Sequence, residues 1–243
     1  MMGAASAFEP EAKTRRPNLW SFGKILQLIL TTGLWVGAIF VSAGRLKWFR
    51  GWICVAATLG IYALCIVLVQ FRNPALLYAR ANWRHPDTKP FDKVFLAIFF
   101  PLYVAQPVIA GLDAVRFRWS SMPFATVYVG LGLLAIGMAL ITWAMLVNPF
   151  AESTVRIQAE RDQSTVSAGP YSIVRHPMYV GAILMFPATA LILGSLWALV
   201  VGLLLAILFV WRTAMEDNTL RRELPGYEEF AAVTRNRLLP GVW

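Results

Sequence analysis

Charged residues are scarce in this sequence, and acidic residues are scarcer than basic ones. Only 14% of the 243 residues are charged, whereas a soluble domain carries about 25%, so the composition argues against a water-soluble globule. Lys and Arg outnumber Asp and Glu by 22 to 13. In a chain that is 58% hydrophobic, this basic excess indicates contact with an anionic membrane surface rather than with nucleic acid.

Cysteine and histidine are also rare. Two of each are present, without the spacing of zinc ligands, so we expect no metal site. Cys54 and Cys65 lie in one apolar stretch, roughly 16 Å apart if that stretch is a helix. This separation is too large for a disulfide bond.

Long hydrophobic runs are frequent. Several charge-free runs reach the roughly 20 residues that cross a bilayer, and the last, 177–211, is too long for one span and contains the turn signal Gly194-Ser195. We therefore predict an all-α polytopic membrane protein with about six transmembrane helices, the last two forming a tight hairpin. The predicted spans are Ile25–Gly44, Gly51–Phe71, Val94–Leu112, Trp119–Ala151, Pro177–Leu193 and Leu196–Trp211.

The distribution of basic residues predicts the orientation. With six spans both termini lie on one side, and that side receives 17 of the 22 Lys and Arg residues. By the positive-inside rule we expect both termini and the two longest loops in the cytoplasm. Residues 1–21 lack the short apolar core of a signal peptide, so we predict a cytoplasmic N-terminal segment there, transmembrane helices 1–4 over 22–147, and a functional region over 148–243.

Polar residues concentrate in two stretches, 148–181 and 212–240, that flank the predicted hairpin. The hairpin returns both stretches to one membrane surface, where they can build one site. In the first stretch Pro177 suits the first position of a helix, because its missing N–H group would be unpaired there anyway. The free amide groups of that helix start favour an anionic ligand. The side chains that would surround this helix start are Tyr171, Arg175, His176 and Tyr179.

The second stretch carries ionisable residues at the membrane edge. Arg212 and Glu216 are four residues apart, so on a helix that continues from the sixth span they share a face. An ionisable pair in this position indicates a functional site, the alternative being a juxtamembrane salt bridge. Asp217 adds an acceptor for an amine or for ribose hydroxyl groups.

An Arg-His-Pro sequence occurs twice. Arg84-His85-Pro86 follows the second span, Arg175-His176-Pro177 follows the fourth, and an Asn-Pro pair precedes each copy. Asn-Pro commonly ends helices, and the first copy lacks the tyrosine and glycine that follow the second. We therefore do not interpret the two copies as a duplication.

These motifs resemble those of a known enzyme family. The run GPYSIVRHPMYVG, followed by R-x-x-x-E-D-x-x-L and PGYEEF, resembles the isoprenylcysteine carboxyl methyltransferase family and its phospholipid methyltransferase relatives, and the segments GRLKWFRGW, NPALLYARA and NPFAESTVRIQ resemble a bacterial branch. The resemblance implies an integral protein of the bacterial inner membrane. It also implies that S-adenosyl-L-methionine binds at the cytoplasmic face through an RHPxYxG loop and a C-terminal Glu-Glu element.

The resemblance also assigns residues. Arg212 matches a family position near the methyl-transfer centre, so Arg212 and Glu216 are the predicted catalytic residues, and Asp217 stands where the family has a second glutamate. The implied methyl acceptor is a lipid or another amphiphilic small molecule, similar to an isoprenylcysteine carboxylate. The predicted cofactor-binding residues are Gly169, Pro170, Tyr171, Arg175, His176, Tyr179, Gly181, Glu216 and Asp217.

Two other classes of protein remain as alternatives. Membrane reductases of the sterol-reductase type use NADPH and have a similar C-terminus, but their motif reads R-H-P-N-Y-x-G-E, and here Met178 and Ala182 replace the asparagine and the glutamate. A non-catalytic membrane scaffold would leave the cluster of Arg, His, Tyr and Glu at one helix start unexplained.

Overall fold

The computed structural model describes residues 22–82 and 84–243. The predicted cytoplasmic segment 1–21 lies outside the described residues. Within them the chain is helical and contains no β-strand. The helices are α1 (Phe22–Ala43), α2 (Phe49–Arg72), α3 (Pro74–Ala81), α4 (Pro90–Gly111, continued by a π-helical segment Leu112–Phe117), α5 (Ala125–Val147), α6 (Pro177–Leu193), α7 (Leu196–Glu223) and α8 (Tyr227–Val233).

The protein is a polytopic all-α membrane protein, as the sequence predicts. Among the described residues, α1, α2, α4 with its π-helical continuation, α5 and α7 are long and apolar enough to cross a membrane. The sixth predicted span, α6, is apolar but has 17 residues, about 26 Å of helix against a hydrocarbon core of about 30 Å. Six complete crossings therefore stay a prediction.

Two predicted spans differ from the observed helices by more than five residues at one end. The run 119–151 is helical only over α5, because a loop with Arg118 in the left-handed conformation precedes that helix. The run 196–211 continues without interruption to Glu223. This extension carries Arg212, Glu216 and Asp217 on one helix, which confirms the predicted continuation of the last span.

The hairpin between α6 and α7 turns where the sequence predicts it. Gly194 ends α6 with φ +78°, a left-handed conformation that favours glycine. The side chain of Ser195 then caps α7 by accepting a hydrogen bond from the amide of Ala198 at 3.0 Å. A buried carboxylate, Asp113, accepts the Ser195 hydroxyl at 2.5 Å and also the Ser120 amide. The turn is thereby attached to the end of α4.

Glycine residues bring α5 and α6 close together. A Cβ atom on Gly130 would lie 2.7 Å from the carbonyl oxygen of Ala188, and one on Gly137 would lie 2.7 Å from that of Gly181. Small residues at such positions let membrane helices approach backbone to backbone. This contact fixes the start of α6 beside the end of α5, at the membrane surface opposite to Asp113.

Candidate functional site

A cavity opens at this surface, between the 148–176 loop, the first turn of α6, the end of α7 and α8. Its empty space is about 830 Å³ including the open mouth. Predicted site residues that line it are Tyr171, Arg175, His176, Tyr179, Arg212 and Glu216. The two polar stretches on either side of the hairpin thus meet at one place.

Arg212 lies at the membrane side of this cavity. Its side chain is buried and pairs with Asp92, whose Oδ1 lies 2.8 Å from Nε. Nη2 donates to the carbonyl oxygen of Ser153 at 3.0 Å. The guanidinium carbon also lies 4.3 Å from the ring centre of Phe95 and 5.2 Å from that of Tyr179, distances of cation–π contacts. Arg212 is therefore held in one orientation from several sides.

Glu216 lies one turn further along α7 and contacts the α6 start through Tyr179, whose hydroxyl donates a hydrogen bond to Oε2 of Glu216. The rings of His176 and Tyr179 lie parallel, with centroids 5.7 Å apart and an interplanar angle of 3°. Because His176 is the residue before Pro177 at the first position of α6, the helix start sets the direction of both rings. A carboxylate and two aromatic rings thus line the same part of the cavity.

Asp217 is buried behind the cavity and is not one of its lining residues. Arg175 holds both carboxylate oxygens, with Nε at 2.7 Å from Oδ1 and Nη2 at 3.1 Å from Oδ2. Arg237 donates to Oδ2 at 2.8 Å and the Tyr227 hydroxyl donates to Oδ1 at 3.0 Å. Burial, and then the nearby Asp217 charge, raise the pKa of Tyr227, so its hydroxyl stays protonated as a donor. Asp217 therefore connects α6, α7, α8 and the C-terminal tail.

Arg175 takes part in the same set of contacts around Asp217. Besides Asp217, its Nη1 donates to the carbonyl oxygens of Thr234 and Arg235 at 2.8 and 2.7 Å. The guanidinium group is thus engaged with the protein, although the residue borders the cavity. Its predicted contact with a cofactor stays a prediction, as does that of Asp217.

The three remaining predicted residues support the cavity from outside its lining. Gly169 and Pro170 begin a short 3-10 turn, which places Tyr171 against the cavity. Asn148 donates to the Tyr171 hydroxyl at 3.0 Å, and burial raises the pKa of that hydroxyl. Gly181 packs against Gly137 of α5, so its role in the structure is helix packing.

Sequence reasoning did not identify Asp92, the partner of Arg212. Its second oxygen, Oδ2, accepts the amide of Val155 at 2.8 Å, so this carboxylate connects α4, α7 and the 148–176 loop. The available signal was its position as an acidic residue in the first turn of an apolar helix, since ionisable residues at such places usually have a function.

A second ionic cluster that the sequence analysis missed orders the loop above the cavity. Arg156 is buried and contacts Glu152, Glu160 and Asp87 at 2.9, 2.5 and 3.1 Å. Its hydrogen bond with Glu160 raises the pKa of Arg156 and lowers that of Glu160. The pair Arg156 and Glu152 shows helical spacing in the sequence, but the loop around it is not helical. Among the described residues, no group of three or more His, Cys, Asp or Glu could hold a metal ion.

Comparison with known proteins agrees with the motifs around this cavity. Residues 125–225 match the family described as phospholipid methyltransferase. The match covers α5, α6, α7 and most of the cavity residues, and for this part of the chain it agrees with the resemblance of the motif around His176. Over these residues the chain is similar to a methyltransferase family, and its described helices include apolar ones that are long enough to cross a membrane.

One curated relative is similar to about half of this chain. It is described as cobalt-zinc-cadmium resistance protein CzcN from Cupriavidus metallidurans and is 27% identical over 130 residues. The alignment covers 52% of this chain and 56% of the relative, so the chain spans about half the length of the curated relative it matches.

Proposed function

We propose that this protein transfers a methyl group from S-adenosyl-L-methionine to a lipid or another amphiphilic acceptor at the cytoplasmic face of the bacterial inner membrane. The observation that carries the proposal is the meeting of Arg212, Tyr179 and Glu216 in one cavity at the membrane edge. A water-soluble acceptor would not need a site at the membrane edge. An amphiphile can keep its tail in lipid while its head group reaches the cavity.

The residues of the cavity fit the chemistry of this cofactor. S-adenosylmethionine carries two cationic groups, a carboxylate, ribose hydroxyl groups and a planar base. Glu216 supplies a negative charge beside the stacked rings of His176 and Tyr179, an environment that favours a cation. The amide groups at the start of α6 favour a carboxylate. Apolar side chains of the lining, such as Val166 and Phe230, suit the base.

The chain contributes position and a dry environment to the reaction. When bound, the cofactor supplies an electrophilic methyl group whose transfer to an acceptor lone pair neutralises the sulfonium. Arg212 orients an anionic acceptor group, because its guanidinium is held by Asp92, Ser153 and two aromatic rings. Tyr179 and Glu216 line the adjoining part of the cavity. Positioning and exclusion of water supply most of the acceleration in such a transfer, so a carboxylate acceptor needs no general base.

Calorimetric titration with S-adenosylmethionine and with NADPH tests the proposal on the purified protein. We expect binding of the first compound and none of the second. His176→Ala and Glu216→Ala should each weaken that binding by about tenfold or more, which corresponds to loss of one charge-assisted contact. Glu229→Ala is the matched control, because Glu229 is an exposed acid of the same tail outside the cavity lining. Unchanged affinity in both cavity variants would contradict the placement, and binding of NADPH instead would favour the reductase.

A further inference from the structure

A second cavity lies beside the first, at the start of α4. Its empty space is about 580 Å³ including open solvent. The polar residues of its lining are Arg84, His85, Thr88, Lys93 and Thr154. The first two belong to the earlier Arg-His-Pro sequence, which has no part in the site described above.

Basic side chains contribute to the lining of this second cavity. Two permanent cations, Arg84 and Lys93, and one titratable histidine line it, and none of its described lining residues is acidic. Lys93 is exposed and has no carboxylate within ion-pair distance among residues 22–82 and 84–243. Nε2 of His85 lies 3.7 Å from an oxygen of Glu152, but that glutamate already pairs with Arg156 and Arg161. Lys93 therefore contributes a positive charge to the lining that no described carboxylate compensates.

Thr154 is an independent indication of a ligand. The residue is only 6% exposed, and its hydroxyl oxygen is buried without a hydrogen-bond partner in the described structure. A buried hydroxyl group without a partner is costly, and such groups usually have an explanation. Thr154 lines both cavities, so a polar group bound in either one is within its reach.

The position of the second cavity indicates the source of the ligand. Lys93 and Leu96 lie in the first two turns of α4, a membrane-crossing helix, so the cavity lies at the level where lipid head groups meet protein. Basic pockets between helices at this level suit anionic head groups. We propose that this cavity binds the phosphate group of an anionic phospholipid, through Lys93, Arg84 and the Thr154 hydroxyl.

A bound phosphate would also be close to Arg212. Thr154 is flanked by Ser153, whose carbonyl oxygen accepts from Arg212, and by Val155, whose amide donates to Asp92. The backbone on both sides of Thr154 therefore contacts the Asp92–Arg212 pair. The proposal concerns binding and does not depend on methyl transfer, so its failure and that of the proposed function are separate.

The experiment measures binding of two lipids by the whole protein in detergent without S-adenosylmethionine. Dioctanoyl phosphatidylglycerol carries the phosphate, and dioctanoylglycerol has the same tails without it. We expect Lys93→Glu to weaken binding of the first lipid about tenfold and Thr154→Val, which keeps the side-chain shape, about fivefold, with no change for the second lipid. Lys47→Glu and Thr31→Val are matched controls, because Lys47 is exposed at the opposite membrane end and Thr31 lies in α1.

Each outcome of this experiment either supports or overturns the proposed phosphate site. If inorganic phosphate displaces the phospholipid, the site accepts free phosphate; if it does not, the site requires the lipid, and both results support a phosphate site. Equal loss in Lys47→Glu and Lys93→Glu would mean a general charge effect and overturn the proposal. Unchanged binding in both Lys93→Glu and Thr154→Val, with unfolding temperatures equal to that of the parent protein, would also overturn it.

Discussion

At the residue scale, the ionic side chains near the cavity differ in how many protein groups contact them. Asp217 is held by Arg175, Arg237 and Tyr227 and contacts no open space. Arg212 is fixed by Asp92 but still borders the cavity. Glu216 has the Tyr179 hydroxyl as its hydrogen-bond donor. These differences separate structural residues from those available to ligands, although the chain places Glu216 and Asp217 next to each other.

Replacement of Arg212 by lysine tests its proposed role in holding the acceptor. Arg212→Lys keeps the positive charge but loses the planar, multidentate group. We expect turnover of an identified acceptor to fall by at least about tenfold, an effect of about 1.4 kcal/mol, with the affinity for S-adenosylmethionine little changed. Arg222→Lys, an exposed arginine on the same helix, should retain full turnover. Full turnover in Arg212→Lys would contradict the assignment.

Replacement of Asp217 should affect stability first. Asp217→Asn removes the charge that compensates Arg175 and Arg237, and breaking a buried ion pair in this way costs about 3–5 kcal/mol. We expect a clearly lower thermal unfolding midpoint in detergent. Glu228→Gln is the control, because Glu228 pairs with Arg221 at the surface, where ion pairs contribute about 0–1 kcal/mol. Equal midpoints in Asp217→Asn and the parent protein would show that the contacts of Asp217 do not stabilise the fold.

At the element scale, the close contact of α5 and α6 positions the cavity. Gly130 and Gly137 of α5 and Gly181 of α6 leave no space for a side chain. The start of α6, with His176 and Tyr179, is therefore held at a fixed distance from the end of α5. The 17 residues of α6 are too few to cross the hydrocarbon core when the helix stands perpendicular to the membrane. Packing against α5, rather than the length of α6, therefore determines where α6 lies in the membrane.

Two glycines of α5 provide a matched test of this packing. Gly130→Ala puts a Cβ atom 2.7 Å from a carbonyl oxygen and 3.0 Å from an amide nitrogen of α6, whereas Gly132→Ala meets nothing within 4 Å. We expect Gly130→Ala to lower the thermal midpoint and cofactor affinity together, at a cost of about 1–3 kcal/mol from overpacking. Gly132→Ala should leave both unchanged or raise the midpoint slightly, because alanine favours helix. Similar behaviour of the two variants would contradict the importance of this contact.

Local signals predicted the turn and the helix start around the candidate site, while its long-range partners depended on packing. The turn at Gly194-Ser195 and the helix start at Pro177 follow from backbone chemistry and occur as predicted. The pairing of Asp92 with Arg212 joins two helices that are distant in sequence, and no periodicity within either helix encodes it. Gly181 belongs to the motif of the family, yet its contact with Gly137 becomes visible only when the helices are packed.

At the scale of the whole molecule, the two membrane ends differ in polar structure. One end carries the cavities, the 148–176 loop and the tail, and the other carries the short loops around Asp113 and Ser195. Among the described residues, the basic ones are divided in the same way, with 14 of 19 on the side of the cavities. Because positively charged loops stay in the cytoplasm, the cavity side should face the cytoplasm, from which the proposed cofactor would enter.

Cysteine labelling in bacterial spheroplasts tests this orientation. We expect Lys47→Cys, in the loop between α1 and α2, to react with a membrane-impermeant maleimide in intact spheroplasts. Arg235→Cys, in the exposed part of the tail, should react only after the membrane is opened. The native Cys54 and Cys65 are buried and give the background in the parent protein. The physical reason for the difference is that the structure places positions 47 and 235 at opposite ends of the helices. Labelling of Arg235→Cys alone in intact spheroplasts would reverse the orientation, and equal labelling of both would contradict the arrangement of the spans.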